Sequence, residues 1–224
     1  MARVGMRHIA GTLAVVGAIG GLGRAAIGHL MHHHNGLFVG QGSDWYDRLS
    51  PHLVGPFYRR VVDEVVVARP SGLVLDVGCG PGHVAVALAR CAPELEVCGV
   101  DISTDMIRRA KANVARAGLG GRVRFEVSQA TRLPLADASV ELAVTTLSMH
   151  HWTDVPAMLR ELARVIRPGG QVWIYDIRQT AMEARTLERL LPEQPFATPR
   201  IEPVALRVGP VPLRGFVRCV LERR

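Results

Sequence analysis

The sequence predicts an α/β fold built on a doubly wound, mostly parallel sheet. Along residues 73–177, short apolar runs alternate with longer segments in which apolar residues recur at helical spacing. In residues 74–89, VLDVGCGPGHVAVALA, a turn with three glycines joins such a run to a helical pattern. Strands that alternate with helices pair in parallel through right-handed crossovers, so the helices cover both faces of the sheet.

Two segments precede the first expected strand. Residues 52–68 predict a helix with one apolar side, which ends before Pro70. The members of that side are Phe57, Val61, Val62, Val65 and Val66. Residues 44–50 contain Trp45 and Tyr46, whose rings either anchor this segment by burying aromatic area or reach a bound molecule.

The sheet region contains five expected strands and three expected helices. The strands cover residues 73–77, 95–100, 122–127, 140–146 and 171–177, and the helices cover 82–91, 105–117 and 154–166. Ser103 is the expected N-cap of the second helix, and Gly118 ends it. Pro168 and the two glycines after it are expected to close the third helix. The remainder predicts a short helix and two β-rich runs: 180–191, 201–208 and 215–222.

The chain before the domain is apolar. We expect residues 1–43 to form an N-terminal segment and linker, and residues 44–224 to form the domain. A helix that spanned a membrane here would have to bury Arg24, at a cost of roughly 2.5–3.5 kcal/mol. Three interpretations stay open: helices packed on the domain, peripheral membrane association through residues 9–31, and disorder.

Neither the histidine run nor the cysteines predict a metal site. Residues 32–34 are three histidines with no Asp, Glu or Cys at ligand spacing, which is typical of a solvated linker. The cysteines form no CxxC pair and are typical of buried thiols in a reducing compartment, so we expect a cytoplasmic location. They are Cys79, Cys91, Cys98 and Cys219.

The net charge of +7 lies entirely at the two ends of the chain. Residues 44–177 hold fifteen basic and fifteen acidic side chains, whereas residues 1–43 hold three basic and no acidic ones. An enzyme that acts on nucleic acid would carry basic surface beside its active site. This distribution therefore disfavours a nucleic-acid substrate.

The glycine-rich turn predicts a ligand-binding loop. Gly78, Gly80 and Gly82 have the spacing GxGxG, and His83 stands where the dinucleotide pattern GxGxxG requires its third glycine. Glycines let a backbone adopt positive φ or approach a ligand closely. A second apolar run ends in Asp101, and an acid at the end of the second strand of a doubly wound sheet faces a ribose.

With Asp76 two residues before the first glycine, this turn resembles motif I, E/DxGxGxG, of the class I S-adenosylmethionine-dependent methyltransferases. Four further blocks resemble that family in the family's order: residues 97–102, 123–135, 140–152 and 162–175. The resemblance implies a Rossmann-like methyltransferase fold with seven strands in the order 3-2-1-4-5-7-6. It also implies that runs 201–208 and 215–222 form an antiparallel hairpin at the sheet edge.

The resemblance further implies S-adenosyl-L-methionine as cofactor. The loop residues Asp76, Gly78, Cys79, Gly80 and Gly82 would lie at its methionine portion, with Leu147 beside them. Asp101 would bind the ribose, Ile102 would lie against the adenine, and Met106 would form a second wall. Gln129 stands where the family usually has an Asp that accepts from the adenine amino group, with Ala130 after it. Either the Gln129 side chain or the backbone then reads the base.

His150 and His151 are the candidate catalytic residues. They follow the fourth expected strand, and a histidine there acts either as a general base or by shaping the pocket. We predict shape. The resemblance implies methylation of a small molecule, and the apolar N-terminus indicates a lipophilic one. Tyr46 would help to close the site. The alternative is a non-catalytic or regulatory protein that retains the fold.

Overall fold

The computed structural model describes residues 55–68, 70–149, 152–177, 194–208, 211–213 and 216–224. The predictions for residues 1–43, for 44–50 and for helix 180–191 lie outside these ranges. In the part described, no helix combines the length and the hydropathy that crossing a membrane requires.

Four helices and nine strands make up the described ranges. The helices are α1 (Gly55–Ala68), α2 (His83–Cys91), α3 (Thr104–Arg116) and α4 (Val155–Val165). The strands are β1 (Leu73–Val77), β2 (Glu96–Asp101), β3 (Val123–Val127), β4 (Val140–Thr146), β5 (Ile166–Ile177), β6 (Arg200–Pro203), β7 (Leu206–Val208), β8 (Val211–Leu213) and β9 (Phe216–Glu222).

Seven of these strands form one sheet in the order β3-β2-β1-β4-β5-β9-β6. Strands β1 to β5 are parallel, and β9 runs antiparallel to both β5 and β6. The prediction of a seven-stranded, mostly parallel sheet with an antiparallel edge is therefore confirmed, with β9 in the place of strand 7 of the predicted order and β6 at the edge. The strand order reverses between β1 and β4, and in such sheets ligands bind at the carboxyl ends of the strands at this point.

The predicted run 201–208 is wrong as a single strand. Strand β6 ends at Pro203, although the amide of the buried Val204 still donates to the Phe216 carbonyl of β9 at 3.0 Å. Strand β7 then pairs with β8 in a separate two-stranded antiparallel sheet.

The predicted boundary between the third helix and the last parallel strand is also wrong. Helix α4 ends at Val165 and β5 begins at the next residue, so residues 168–170 lie within the strand. Arg167 precedes a proline, which disfavours helical backbone there. The pairing with β4 is irregular at this point, and Gly169 accommodates the irregularity with a φ of 76°.

Helices cover both faces of the sheet. Phe57 and the buried valines of α1 pack with α2 and α3 in one core. Leu159 and Leu162 of α4 belong to the core on the other face. The predicted apolar side of α1 is buried as expected, except that Val66 is only partly so. A polar contact also ties α1 to the sheet, because the Tyr175 hydroxyl donates to Glu64 Oε2 at 2.7 Å.

The helices next to the glycine turn begin in different ways. Ser103 caps α3 as predicted, since its Oγ accepts from the Met106 amide at 3.3 Å. Among the described residues no side chain caps helix α2, and its N-cap is Gly82 in left-handed conformation. The glycine turn itself therefore starts α2.

Candidate cofactor-binding site

All three predicted glycines adopt backbone conformations that favour glycine. The φ angles of Gly78, Gly80 and Gly82 are 69°, 52° and 79°. This left-handed region costs other residues roughly 1–2 kcal/mol each. The spacing GxGxG is thus explained by the backbone of the loop between β1 and α2.

The loop folds back on the carboxyl end of β2. The amides of Gly78 and Cys79 both donate to the Val100 carbonyl, at 2.8 and 3.0 Å. The Asn113 side chain of α3 donates to the Pro81 carbonyl at 2.8 Å. The loop is thus held from two directions, and these two amides are occupied by protein.

The glycine loop binds the Asp101 carboxylate. Its Oδ2 accepts from the Gly80 amide at 2.9 Å, and its Oδ1 accepts from the Ser103 amide at 2.9 Å. Burial raises the pKa of the Asp101 carboxyl, and these two amides oppose the rise. Each carboxylate oxygen has a further lone pair, so the oriented carboxylate can still accept from two ligand hydroxyls.

Asp76 is a buried carboxyl at the end of β1. It is 1% exposed, and neither of its oxygens has a hydrogen-bond partner among the described residues. Burial, and secondarily the charge of Asp101, raises its pKa to about 7, although the nearby Ala85 amide opposes the rise. A buried carboxylate is costly without a partner, so a ligand cation would be favoured here.

Gly78 and Gly82 are also needed for packing. A Cβ on Gly78 would lie 2.0 Å from Ser148 Oγ, and a Cβ on Gly82 would lie 2.7 Å from Cζ of Phe125. A Cβ on Gly80 would meet no atom of the described residues within 4 Å. Within the part of the chain that the structure describes, Gly80 is therefore where the loop borders open space.

Leu147 lies at the end of β4 with a φ of 51°, which is rare for a side chain of this kind. Its amide donates to the Tyr175 carbonyl at 2.9 Å, and this bond holds the strained residue at the switch point of the sheet. Strain of this sort persists where surrounding structure enforces it and is often found at functional sites. Ser148 follows directly and packs on Gly78.

An exposed apolar surface follows β2 and β3. Ile102 is 69% exposed and Val127 is 50% exposed, and Val127 pairs with Asp101 in the sheet. Met106, in contrast, is buried in the first turn of α3. A flat aromatic ligand would cover the exposed Ile102 side chain.

Gln129 and Ala130 lie in the loop after β3, next to the end of β2. The Ser128 amide donates to the Asp101 carbonyl at 2.9 Å, which places this loop beside Ile102. The Gln129 side chain is exposed and accepts from the Thr131 hydroxyl at 3.4 Å. Ala130 is half-buried and packs against the core on the α4 face.

The remaining predicted residues differ in what can be said of them. Cys79 is buried and burial raises the pKa of its thiol, so it packs as a neutral group within the loop. His150 and His151 lie outside the described residues. In the ranges that the structure covers, no group of three His, Cys, Asp or Glu side chains could hold a metal ion.

Two contacts of the site were missed from the sequence. The Phe125 ring of β3 lies against both Gly82 and Gly99, where a Cβ on Gly99 would be 2.5 Å from Cδ1 of the ring. A glycine inside a strand often marks such a close approach, so Gly99 was the available signal. The contact of Ser148 with Gly78 had no comparable signal.

These residues fit S-adenosylmethionine in chemistry. They supply a buried carboxyl that has no hydrogen-bond partner in the described ranges, for a cation, an oriented carboxylate for a ribose and an exposed apolar side chain for a base. Among the described residues, Gly80 leaves open space next to the Asp101 carboxylate, which its amide contacts.

Comparison with known proteins gives the same assignment. A family model described as "Methyltransferase domain" matches residues 74–170. The chain is 37% identical over 108 residues to the 27-O-demethylrifamycin SV methyltransferase of Amycolatopsis mediterranei (strain S699), covering 48% of this chain and 39% of that protein. It is 42% identical over 104 residues to the methyltransferase GfsG of Streptomyces halstedii, covering 46% of this chain and 37% of that protein. The chain thus spans about two fifths of the length of these relatives.

A solved structure extends the likeness of fold beyond the matched residues. A protein described as a candidate S-adenosyl-L-methionine-dependent methyltransferase from Methanococcus maripaludis superposes with a TM-score of 0.71 at 22% identity. The superposition covers 83% of this chain and 94% of that one. By its sheet order, its glycine loop and its sequence over residues 74–170, the chain belongs to the class I S-adenosylmethionine-dependent methyltransferases.

Proposed function

We propose that this protein transfers a methyl group from S-adenosylmethionine to a small, lipophilic molecule. The observation that carries the proposal is the pair of acids at the ends of β1 and β2. Asp76 is buried without a partner among the described residues, and Asp101 is oriented by the Gly80 amide of the glycine loop. One acid suits the cationic methionine portion and the other suits the ribose.

The cofactor, when bound, supplies an electrophilic methyl group on a sulfonium. The residues of this chain then have to bind and orient it, because near-attack geometry alone lowers the barrier by several kcal/mol. Asp76 and the glycine loop would hold the methionine portion, and Asp101 the ribose. Ile102, with Gln129 or the backbone beside it, would hold the adenine.

The class of substrate is supported by the relatives and by the charge distribution. One relative is named for methylation of 27-O-demethylrifamycin SV, a small molecule. Residues 44–177 carry no excess of basic side chains, which disfavours a nucleic-acid substrate. The relatives reported above are named as methyltransferases, which favours an enzyme over a non-catalytic binding protein.

The direct test is a methylation screen. The purified protein should carry S-adenosylmethionine or its demethylated product, detectable by mass spectrometry of the released ligand. Incubation with methyl-labelled S-adenosylmethionine and a metabolite extract should then label a small apolar compound. A protein that binds the cofactor and labels nothing across several extracts would support the non-catalytic alternative.

For His150 and His151 we propose that they shape the acceptor pocket. Replacing either by Asn should then raise the KM for the acceptor more than it lowers kcat, because transfer to an amine, thiolate or acidic hydroxyl needs no strong base. If either histidine were a general base, its replacement by Asn would instead lower kcat roughly a hundredfold. Kinetics between pH 5 and 8 decide the matter: a fall in wild-type kcat below about pH 6.5 that disappears in the Asn variant would contradict pocket shaping.

We propose that residues 44–224 form the methyltransferase domain, with residues 1–43 outside it. Every cofactor-binding residue named above lies downstream of residue 44, which supports this division. Deleting residues 1–36 should leave a folded protein that binds S-adenosylhomocysteine, as shown by calorimetry and a thermal melt. An insoluble product would mean that the segment belongs to the core.

The same deletion tests peripheral membrane association through residues 9–31. The full chain should sediment with anionic vesicles and the deleted chain should not. Equal sedimentation of the two proteins would remove the membrane role.

A further inference from the structure

Helix α4 holds the loop after β3 through two charged side chains. Glu161 Oε1 accepts from the Leu133 amide at 2.7 Å. Arg164 donates to the carbonyls of Leu133 and Leu135, at 3.1 and 2.8 Å. We call Glu161 and Arg164 the α4 clamp. It binds the loop, residues 128–138, through main-chain atoms of Leu133 and Leu135 and through the Asp137 carboxylate.

The other end of this loop is tied to β2. The Ser128 amide donates to the Asp101 carbonyl at 2.9 Å, and the Ser128 hydroxyl donates to the Arg132 carbonyl at 2.6 Å. The Arg132 amide in turn donates to the Gln129 carbonyl at 3.0 Å. Residues 129–132 therefore form a closed turn between two fixed points, and one of those points is the α4 clamp.

The clamp is built to be rigid. Glu161 and Arg164 pair with each other at 2.7 Å, and Arg164 also pairs with Asp137 at 2.6 Å. Their side chains are only 15% and 32% exposed, so water competes weakly for these bonds. The Arg164 pairing lowers the pKa of Glu161 and keeps it charged. A planar guanidinium can bind two carbonyls and a carboxylate at once, which a lysine ammonium does not reproduce.

The position of the clamp separates it from the ligand. Leu133 and the buried residues of α4 belong to one core, on the face opposite α1, α2 and α3. Gln129 and Ala130 lie at the carboxyl edge of the sheet beside Ile102, the side expected to carry the adenine. A shift of the clamped residues would therefore move the turn that faces the base without altering Asp76 or Asp101.

We infer that Glu161 and Arg164 are positioning residues for recognition of the adenine base. They act through the backbone of Leu133 and Leu135, and they hold the turn 129–132 at the distance from Ile102 that the base requires. This inference rests on the proposed function, because it assumes that S-adenosylmethionine binds at the carboxyl ends of β1 to β3.

The test compares two ligands that differ only in the base. Calorimetry would measure binding of S-adenosylhomocysteine and of S-inosylhomocysteine, in which an oxygen replaces the 6-amino group. In the wild-type protein the adenine ligand should bind about tenfold or more tightly than the inosine ligand. In Arg164→Gln the affinity for the adenine ligand should fall roughly tenfold, while the affinity for the inosine ligand should change little. The preference for adenine would then be lost.

Arg160→Gln is the matched control. Arg160 is exposed on the same helix, one turn before Arg164, and its replacement makes the same change in charge. It should leave both affinities unchanged. Arg164→Lys provides a second variant, which keeps the charge and should reduce the preference in the same direction.

The outcomes distinguish a failure of this inference from a failure of the proposed function. Equal weakening of both ligands in the Arg164 variants, or an unchanged preference despite a lowered melting temperature, would show that the clamp only stabilises the fold and would overturn the inference. Failure of the wild-type protein to bind either ligand would instead overturn the proposed function and, with it, the inference.

Discussion

Asp76→Asn should stabilise the cofactor-free protein at alkaline pH and weaken cofactor binding at the same time. Burial raises the pKa of Asp76 to about 7, from an ordinary value of about 3.9. A carboxyl whose pKa is raised by folding contributes stability below its unfolded pKa and loses it as the pH rises through its folded pKa. Above pH 7 the ionised, buried Asp76 therefore costs the fold about 4 kcal/mol, which Asn would not.

The binding effect has the opposite sign. Asn cannot offer a negative charge to the ammonium group at the amino-acid end of S-adenosylhomocysteine, so the affinity for this ligand should fall by roughly 10- to 100-fold. Thermal melts between pH 4 and 8 should show a difference between variant and wild type that grows up to about pH 7 and then levels off. Asp63→Asn, at an exposed position of α1, is the control and should change neither property. A stability difference independent of pH would mean that Asp76 has a partner in the folded protein.

Gly78→Ala should unfold the protein more readily than any other alanine substitution in the glycine loop and abolish cofactor binding. The new Cβ would lie 2.0 Å from Ser148 Oγ and 2.7 Å from Ser148 Cβ, so the end of β4 would have to move. Leu147 is already strained there, with a φ of 51°. The steric conflict should add roughly 1–3 kcal/mol to the cost of the positive φ.

Gly118→Ala isolates the cost of the backbone. Gly118 has a φ of 70°, against 69° at Gly78, and its Cβ would meet none of the atoms that the structure describes within 4 Å. Chemical denaturation should therefore show only about 1–2 kcal/mol of destabilisation for Gly118→Ala. The double variant Gly78→Ala with Ser148→Gly should recover part of the steric term. Equal losses in Gly78→Ala and Gly118→Ala would show that Ser148 does not pack on the loop as described.

Much of the fold could be predicted because it depends on local pattern. The alternation of apolar runs and helical spacing located β1 to β4, and the capping role of Ser103 followed from its residue type and position. The start of β5 could not be predicted in this way, because helix propensity continues to Val165 and the strand depends on pairing with Val140 of β4. The division of run 201–208 into β6 and β7 could not be predicted either, because β6 pairs with β9 whereas β7 pairs with β8, and the β-rich composition is the same in both.

In the site, too, the features that depend on local sequence could be predicted and the contacts between distant residues could not. The positive φ of the three glycines follows from the GxGxG spacing, since a tight turn demands those residues. The hydrogen bond from the Gly80 amide to Asp101 and the packing of Ser148 on Gly78 join residues that are far apart in the chain. The α4 clamp belongs to the same class, because nothing in the sequence around Arg164 indicates which carbonyls it binds. Contacts of this kind depend on how the elements are placed in three dimensions.

The central claim is that the carboxyl edge of β1 and β2 binds S-adenosylmethionine, and one titration tests it most directly. S-adenosylhomocysteine and NAD should each be titrated calorimetrically into the wild-type protein and into Asp101→Ala. We expect the wild-type protein to bind S-adenosylhomocysteine but not NAD. In Asp101→Ala the binding free energy for S-adenosylhomocysteine should weaken by roughly 1.5–3 kcal/mol, with the fold retained. Binding of NAD alone, or an unchanged affinity for S-adenosylhomocysteine in Asp101→Ala, would contradict this account.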